Sequence, residues 1–335
     1  MSAEAARLHA LVGAFARQRV LVIGDLMLDE FIWGKVSRIS PEAPVPVVNV
    51  TGESYYPGGA ANVARNVREF TGHVFLMGLA GIDAAGERLI GLLGAEGIDT
   101  SGVQRGAAHS TIVKTRIIAR NQQVVRVDRE RPPSPDSLHV ERAMADLDRL
   151  IVDVDAVVVA DYGKGFLTQP LADRICEAAH KHHKVLAVDP HPHTSLQWRG
   201  ATAVKPNRAE AFSAAGLPPS EPVAPVLEDH ALLEAGKRLK KLWHAGSLLI
   251  TLGEHGMLLF EGNHEPRHTP TRAQAIFDVS GAGDTAIAVL TLALAAGAKP
   301  AEAADLANRA SGIAVGKLGT ATVTAAELAA ACTAS

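Results

Sequence analysis

The most distinctive segment of the chain is Ile276-Phe277-Asp278-Val279-Ser280-Gly281-Ala282-Gly283-Asp284-Thr285. It leads into a run of small and apolar residues, 286–298, which predicts a buried helix. The small residues at 281–283 would let a ligand approach the backbone, and the N–H groups at a helix start suit a phosphate. A carboxylate at Asp284 would repel that phosphate, so it indicates another task, such as taking a proton from a nucleophile. Taken alone, these residues are equally compatible with a plain turn.

Composition limits the class of protein. The chain has 335 residues, 47% of them hydrophobic and 21% charged, which is typical of a folded chain with a large core. The net charge of −3 argues against nucleic acid as the main partner. Two widely spaced cysteines indicate a reducing compartment. The run 286–298 is shorter than the roughly 18 to 20 residues that cross a bilayer, so we expect a cytoplasmic protein without membrane contact.

Alternating strand and helix patterns predict an α/β fold with a mostly parallel sheet flanked by helices. Strands are indicated at 19–25, 73–78, 156–161, 185–189 and 248–253, and helices at 1–18, 84–97 and, as the last one, 300–318. Because Asp25 and Asp161 follow buried strands, we expect ligands at the carboxyl edge of the sheet. For Asp25, an alternative is that it caps a turn.

Two segments, 31–57 and 109–130, interrupt this rhythm. The first contains strand-like runs with prolines, which are confined to sheet edges and strand starts. The second predicts a hairpin around Arg120-Asn121. We expect both segments to form one small β-sheet lid on a single domain spanning 1–335. Because so small a sheet leaves open edges, two lids are expected to pack together in a homodimer.

Two glycine-containing segments suggest a site for a phosphorylated or hydroxylated ligand. The pair Gly58-Gly59 opens a predicted helix, where backbone N–H groups and the Asn62 amide could bind sugar hydroxyls. Lys164 lies between two glycines at the carboxyl end of a strand, which suits a phosphate.

A further pair of motifs lies in the C-terminal half. Asn207 and Glu210 are spaced as a helix capping box, and equally as two oxygen donors near a magnesium-bound phosphate. Gly253 and Gly256 predict a tight turn with room for a nucleotide.

Together and in this order, the motifs resemble the ribokinase-like, or PfkB, family of sugar kinases over residues 19–330. The resemblance is carried by Gly58-Gly59 with Asn62, Asn207-x-x-Glu210, Thr251-x-Gly253-x-x-Gly256 and Asp278-x-x-Gly281-Ala282-Gly283-Asp284. It implies a ribokinase-like fold and the transfer of a phosphoryl group from ATP to a sugar.

Within that family the chain is most similar to the bacterial heptose 7-phosphate kinases. The similar segments are 24–29, 38–47, 120–128, 161–165 and 316–320. Many of these relatives carry a C-terminal nucleotidyltransferase domain, and we expect this chain to be the stand-alone kinase without it. The chain departs from the family at 189–193, where Asp-Pro-Lys-Gly is usual, and at Lys205, where threonine is usual.

The resemblance also implies a role for each matched residue. Asp284 would be the general base, and the N–H groups of Gly281, Ala282 and Gly283 would form an anion hole for the phosphoryl group. The sugar phosphate would be bound by Asp29, Gly58, Gly59, Asn62 and, at its 7-phosphate, Arg38 and Lys164. The nucleotide would be bound by Thr251, Gly253, Gly256 and Asn308, with Mg²⁺ near Asn207 and Glu210 through water. A monovalent cation such as K⁺ would lie near Asp278 and Gly319.

Two other classes of protein fit the sequence less well. A dehydrogenase would need the G-x-G-x-x-G dinucleotide fingerprint after a strand, which the sequence lacks. A non-catalytic sugar-binding homologue would be expected to lose Asp284 or the residues 281–283. Within the kinases, the alternative is another sugar or nucleoside kinase, and the cations Arg38 and Lys164 favour a phosphorylated substrate.

Overall fold

The computed structural model describes residues 2–120, 122–131, 137–192, 194–272, 278–317, 319 and 321–333. The strands are β1 (Arg19–Gly24), β2 (Leu26–Ile39), β3 (Pro46–Gly59), β4 (His73–Gly81), β5 (Asp99–Gly106), β6 (Ile112–Ala119), β7 (Gln122–Arg129), β8 (Ala156–Ala160), β9 (Val185–Asp189), β10 (Ala203–Val204), β11 (Ser247–Thr251), β12 (Met257–Glu261) and β13 (Arg267–Thr269). The α-helices are α1 (Ala3–Ala14), α2 (Ala60–Arg68), α3 (Ala84–Ala95), α4 (Ser137–Leu150), α5 (Gln169–Lys181), α6 (Arg208–Ala214), α7 (His230–Trp243), α8 (Ala282–Ala295), α9 (Pro300–Ala314) and α10 (Ala325–Thr333). The residues of the predicted segments that lie outside the described ranges are Met1, Asn121, His193, Ile276, Phe277, Leu318 and Thr320.

The main sheet has nine strands in the order β13-β12-β11-β10-β9-β8-β1-β4-β5. Neighbours from β5 to β11 pair in parallel, whereas β12 and β13 form an antiparallel edge. Strand β1 pairs with β4 on one side and β8 on the other, so the strand order reverses at β1. Ligands of open α/β sheets bind outside the carboxyl ends of strands at such a point. The predicted mostly parallel α/β fold is confirmed.

The period-two alternation of β1 divides the hydrophobic core into two layers. Val20 and Val22 pack in one layer with helices α2, α8 and α9, and Leu21 and Ile23 pack in the other. All four side chains are completely buried. Helix α8 is buried through most of its length, and its small residues allow close approach of its neighbours. The buried helix predicted after residue 285 is confirmed, although it ends at Ala295.

A second, four-stranded sheet has the order β3-β2-β6-β7, and we call it the small sheet. Strand β2 pairs antiparallel with β3 and parallel with β6, and β6 pairs antiparallel with β7. The two segments predicted to form one lid sheet therefore do pair, but their strands begin earlier, at Leu26. Because β2 starts two residues after β1 ends, the small sheet rises directly from the carboxyl edge of the main sheet.

The expectation that 300–318 is the last helix was wrong. Helix α9 ends at Ala314, and α10 follows it. The Thr324 hydroxyl accepts the Glu327 N–H, and the Glu327 carboxylate accepts the Thr324 N–H, at 3.2 and 2.8 Å. This reciprocal capping pattern, Thr-x-x-Glu, was a readable start signal in the sequence. Sequence reasoning also missed β5, β12, β13, α4 and α7.

The helices in the described ranges are all too short or too polar to traverse a lipid bilayer.

Candidate active site

Helix α8 begins at the carboxyl edge of the main sheet. Its N-cap, Gly281, has φ of 79°, a left-handed conformation that favours glycine. The N–H of Ala282 lies 3.4 Å from the Val279 carbonyl, a long contact that a ligand oxygen could replace. Gly283 occupies the first helical turn and leaves the backbone open on that side. The three small residues are thus placed as a helix-start anion site requires.

The Asp284 carboxylate accepts two side-chain hydrogen bonds. The Tyr162 hydroxyl donates to Oδ1 at 2.5 Å, and the Asn62 amide donates to Oδ2 at 2.6 Å. Burial raises the pKa of Asp284, although the bonds from Tyr162 and Asn62 and the charge of Lys205 oppose the rise, and Asp29 adds to it. The group is therefore an oriented carboxylate with increased basicity, which is what a general base requires.

The residues predicted to bind the sugar lie together at the base of the small sheet: Asp29, Gly58, Gly59 and Asn62. Arg116 Nη1 of β6 contacts Asp29 Oδ1 at 2.5 Å. A Cβ atom at Gly58 would lie 2.7 Å from Asp29 Oδ2, so only glycine fits against this carboxylate. The Asn62 Oδ1 atom is buried and has no protein partner, which leaves an acceptor for a hydroxyl.

Arg116 is a site residue that sequence reasoning missed. It pairs in register with Phe31 and so lies on the same face of the small sheet as Asp29, two positions away. The alternation of side chains between the two faces of a strand, which puts Asp29 and Phe31 on one face of β2, could be read from the sequence. The parallel pairing of β2 with β6, which brings Arg116 to Asp29, became visible only in the fold.

Asp25 serves the site by holding a loop. Its carboxylate accepts the backbone N–H groups of Tyr162 and Lys164, both at 3.0 Å, and of Phe166 at 3.1 Å. Asp25 is only 2% exposed. The side-chain bonds that the structure describes for Asp25 thus run to the turn after β8, which presents Tyr162 and Lys164, rather than to the turn after its own strand.

Lys164 belongs to a partly buried charge cluster. Its Nζ atom lies 2.6 Å from Glu130 Oε2, and Lys114 Nζ lies 2.6 Å from Glu130 Oε1. Burial alone would raise the pKa of Glu130, but the two lysines outweigh it and hold that pKa below its ordinary value. Lys114, which sequence reasoning missed, also contacts Asp128 at 3.1 Å.

Arg38 is not brought to this cluster within one chain. It is exposed near the far end of β2, nine residues beyond Asp29. At about 3.3 Å per residue, that separation is about 30 Å along the strand. Arg38 and Lys164 of the same chain therefore cannot contact one phosphate, and this part of the expectation needs correction.

The predicted nucleotide residues line one cavity of about 390 Å³. Its wall includes Asn207, Thr251, Gly253, Gly256, Ala282, Gly283 and Asn308. A Cβ atom at Gly256 would lie 2.1 Å from the Thr269 carbonyl oxygen, so the turn requires glycine there. Asn308 donates to the Pro270 carbonyl at 2.7 Å and so supports the rim. This cavity meets the start of α8, next to Asp284.

Asn207 and Glu210 form the capping box that their spacing allowed. The Asn207 side chain accepts the Glu210 N–H at 2.9 Å, and Glu210 Oε2 accepts the Asn207 N–H at 2.7 Å. The box uses one carboxylate oxygen of Glu210. Oε1 takes no part in the box, and the charge of Glu210 raises the pKa of Asp189.

Lys205 forms a buried ion pair with Asp189 beside the start of α8. Its Nζ atom lies 3.0 Å from Asp189 Oδ2 and 3.7 Å from the position of a Cβ atom on Gly283. Desolvation raises the pKa of Asp189 to about 7, although Lys205 opposes the rise. The position where the chain departs from the family thus places a cation next to residues 281–283.

Asp278 and Gly319 are neighbours. Asp278 accepts the N–H groups of Ser280 at 2.9 Å and Gly319 at 3.2 Å. Burial would raise the pKa of Asp278, but these hydrogen bonds hold it below its ordinary value. Within the described parts of the chain, we find no group of three or more histidine, cysteine or acidic side chains that could hold a metal ion.

The sequence matches the pfkB family carbohydrate kinase profile over residues 17–327. The bifunctional protein HldE of Desulfatibacillum aliphaticivorans is 43% identical over 327 residues, which cover 97% of this chain and 65% of that protein. HldE of Caulobacter vibrioides is 44% identical over 315 residues, covering 94% and 63%. The chain therefore spans less than two thirds of the length of these relatives.

Solved structures share the fold. Arabidopsis thaliana ribokinase, complexed with ribose and ATP, superimposes with a TM-score of 0.72 at 17% identity, over 95% of this chain and 99% of that one. Phosphofructokinase-2 of Escherichia coli, in complex with potassium, has a TM-score of 0.71 at 19% identity, over 95% and 98%. With a family match over nearly its whole length and relatives above 40% identity, the chain belongs to the pfkB family of carbohydrate kinases.

Proposed function

We propose that this sugar kinase phosphorylates a sugar phosphate with ATP, namely D-glycero-D-manno-heptose 7-phosphate at its anomeric hydroxyl. The product would be the 1,7-bisphosphate, used for nucleotide-activated heptose and the lipopolysaccharide core. The proposal depends on the position of Asp284. This residue lies between the residues proposed to bind the sugar and the cavity that Gly283 lines. The HldE relatives support the heptose substrate.

Because the reaction consumes ATP and both cysteines are unpaired, we place the protein in the cytoplasm.

In this reaction Asp284 takes the proton of the attacking hydroxyl. The hydroxyl oxygen forms a bond to the γ-phosphorus while the bond to the β-phosphate oxygen breaks and ADP leaves. The N–H groups at 281–283 and the cation of Lys205 face the charge on the transferred phosphoryl oxygens. Asn62 and Asp29 hold the sugar, with the free Oδ1 of Asn62 as a hydroxyl acceptor.

Magnesium fits the nucleotide side of the site. Mg²⁺ is usually held by one or two carboxylates, waters and the substrate phosphates, so a dense cluster of protein ligands is not required. Asn207, which lines the cavity, and its capping-box partner Glu210, through Oε1, would hold the ion through water. The ion would neutralise charge on the phosphates. We also propose K⁺ near Asp278 and Gly319. There the Asp278 carboxylate, whose pKa lies below its ordinary value, is next to the backbone of Gly319.

For the distal phosphate of the sugar, we propose Lys164 with Lys114 in place of Arg38. Both lysines converge on Glu130 from different parts of the chain and are largely shielded from water. A phosphate dianion could replace Glu130 as their shared partner, and a charge-assisted contact is stronger than a neutral one. Arg116 lies on the same face of the small sheet, next to Asp29.

Lys164→Ala should lower kcat/KM for heptose 7-phosphate by about 10- to 150-fold, since a hydrogen bond to a charged group contributes roughly 1.5 to 3 kcal/mol. The KM for ATP should hardly change. Activity on the unphosphorylated sugar should also be unaffected, because that sugar never used the contact. Steady-state kinetics with both sugars would measure this. Lys35→Ala, an exposed lysine on β2, is the matched control. Equal activity of Lys164→Ala and wild type on the phosphorylated sugar would refute the assignment.

The substrate class itself is tested by assaying the pure protein with ATP against a panel of phosphorylated and free sugars and nucleosides. The proposal expects the heptose phosphate to have the highest kcat/KM. Preference for a nucleoside or a free sugar would favour the alternative, another kinase of the same family.

We further propose a homodimer formed through the small sheet. Its outer strands are β3 and β7, and every residue of β7 is exposed. Its exposed large apolar side chains are Trp33, Ile39, Val50, Tyr56, Val124, Val125 and Val127. Open strand edges and exposed apolar side chains favour association. Sedimentation at micromolar concentration should give a dimer, and Val125→Lys should shift it toward monomer. Detection of monomer alone for the wild type would contradict the proposal.

A further inference from the structure

We propose that Tyr162 is a positioning residue that fixes the orientation of the Asp284 carboxylate and stabilises its ionised form for proton abstraction. The inference rests on the proposed role of Asp284 as the base. Tyr162 is not among the residues to which the family resemblance assigns a role. Tyr162 acts through Asp284, without itself exchanging the proton of the substrate.

The geometry around the Asp284 carboxylate supports this role. Tyr162 donates to Oδ1 and Asn62 to Oδ2, so the two oxygens are held from two separate elements, a loop after β8 and helix α2. The terminal torsion of aspartate is broad and roughly two-fold, so one hydrogen bond would leave it poorly defined. Two donors on different oxygens define it. Each oxygen keeps a lone pair, so the attacking hydroxyl can still donate.

Tyr162 is itself rigidly placed. Its backbone N–H is held by Asp25, as is that of Lys164 in the same turn. Three backbone bonds to one buried carboxylate leave the loop little freedom to shift the phenol. A donor whose position is already determined costs little ordering at the moment of reaction, which is the basis of preorganisation.

The phenol of Tyr162 must carry its proton if it is to donate to Asp284. Burial, followed by the charge of Asp284, raises the pKa of Tyr162 well above its ordinary value. Tyr162 therefore stays protonated at physiological pH and remains a donor. It cannot serve as the base, which leaves Asp284 for that task.

The charges that face Asp284 decide the sign of the pH effect. Lys205 lowers its pKa, and Asp29 raises it, as burial does. Asp189 and Asp284 also disfavour each other's charge. Loss of the Tyr162 hydroxyl removes a bond to the charged form, so the pKa of Asp284 rises further. Because the base works only when ionised, the acid limb of the activity profile must then move to higher pH.

The test is the pH dependence of kcat/KM for Tyr162→Phe, which reports the free enzyme. We expect the acid limb to move up by about one pH unit and the rate at neutral pH to fall by about 10-fold, the lower end for a bond to a charged group. The KM for ATP should stay unchanged. Tyr55→Phe, which removes a phenol bonded to Glu53 at 2.7 Å on the small sheet, is the matched control and should behave as wild type. A uniform loss with an unmoved acid limb would overturn the inference.

A second measurement separates this inference from the substrate assignment. Carboxyl ¹³C resonances of aspartate-labelled protein, with that of Asp284 identified from Asp284→Asn, give its pKa without any sugar. Tyr162→Phe should raise that pKa, and Tyr55→Phe should not. An unchanged Asp284 titration in Tyr162→Phe overturns the inference even if heptose phosphate is the substrate. A raised pKa supports it even if the preferred sugar proves to be a different one.

Discussion

Asp284→Asn should lower turnover by at least about 10²-fold, since general base catalysis contributes about 10² to 10⁴. The amide has nearly the same shape as the carboxylate but cannot take the proton of the hydroxyl. The variant should still fold, because the Asn62 amide can turn its unpartnered Oδ1 toward the new NH₂ group. Tyr162 can go on donating to the remaining oxygen. The loss should therefore appear in kcat and hardly in the binding of ATP.

The measurements are initial rates with saturating ATP and sugar phosphate, and ATP binding by calorimetry. Asp146→Asn is the matched control, because the structure describes that carboxylate in a partly exposed pair with Arg149 on α4. Such surface pairs contribute little to stability. Near-normal turnover of Asp284→Asn would remove Asp284 from the role of base and leave the mechanism without a proton acceptor at the start of α8.

Lys205→Met should lower kcat by about 10² to 10³, the loss typical for one preorganised electrostatic group at a transition state. Its Nζ atom lies 3.7 Å from a Cβ position on Gly283, beside the N–H groups proposed to face the transferred phosphoryl oxygens. Methionine preserves the length of the side chain and its buried stem. We expect the KM for ATP to change much less than kcat, because the charge on those oxygens is stabilised most in the transition state.

Stability must be separated from chemistry here, because Lys205 is paired with Asp189. The pKa of Asp189 is already about 7, so without the lysine the carboxyl group should take up a proton and become neutral. The double variant with Asp189→Asn should therefore have a Tm close to that of wild type and still be slow. Lys237→Met, an exposed lysine on α7, controls for loss of charge alone. A double variant with wild-type kcat would show that Lys205 only pairs with Asp189.

Local sequence patterns predicted those features that depend on near neighbours in the chain. Residues within one or two turns, or simple alternation, set the Asn207–Glu210 capping box, the helix start at 281–283 and the strands at 19–25 and 185–189. The start of α10 was equally local, with Thr324 and Glu327, and was overlooked.

Arg38 and Lys164 illustrate a different kind of error. Charge alone suggested a shared phosphate, since a dianion needs cations. The length of β2 decides otherwise, because about 30 Å of strand separates the Arg38 position from the base of the small sheet. Lys114, in contrast, has no motif around it, and it reaches Glu130 only because β6 and β7 pair.

The sequence by itself determined the α/β class, the small sheet, the family and which residues lie at the start of α8. Each of these follows from periodicity or from motifs that are contiguous in the chain. Only the tertiary structure decided that Tyr162 and Asn62 share the Asp284 carboxylate, across 122 and 222 positions of the chain. It also decided that Lys205 lies beside Gly283. Contacts of this kind depend on strand order and helix packing, which place distant segments side by side without leaving a signal in local sequence.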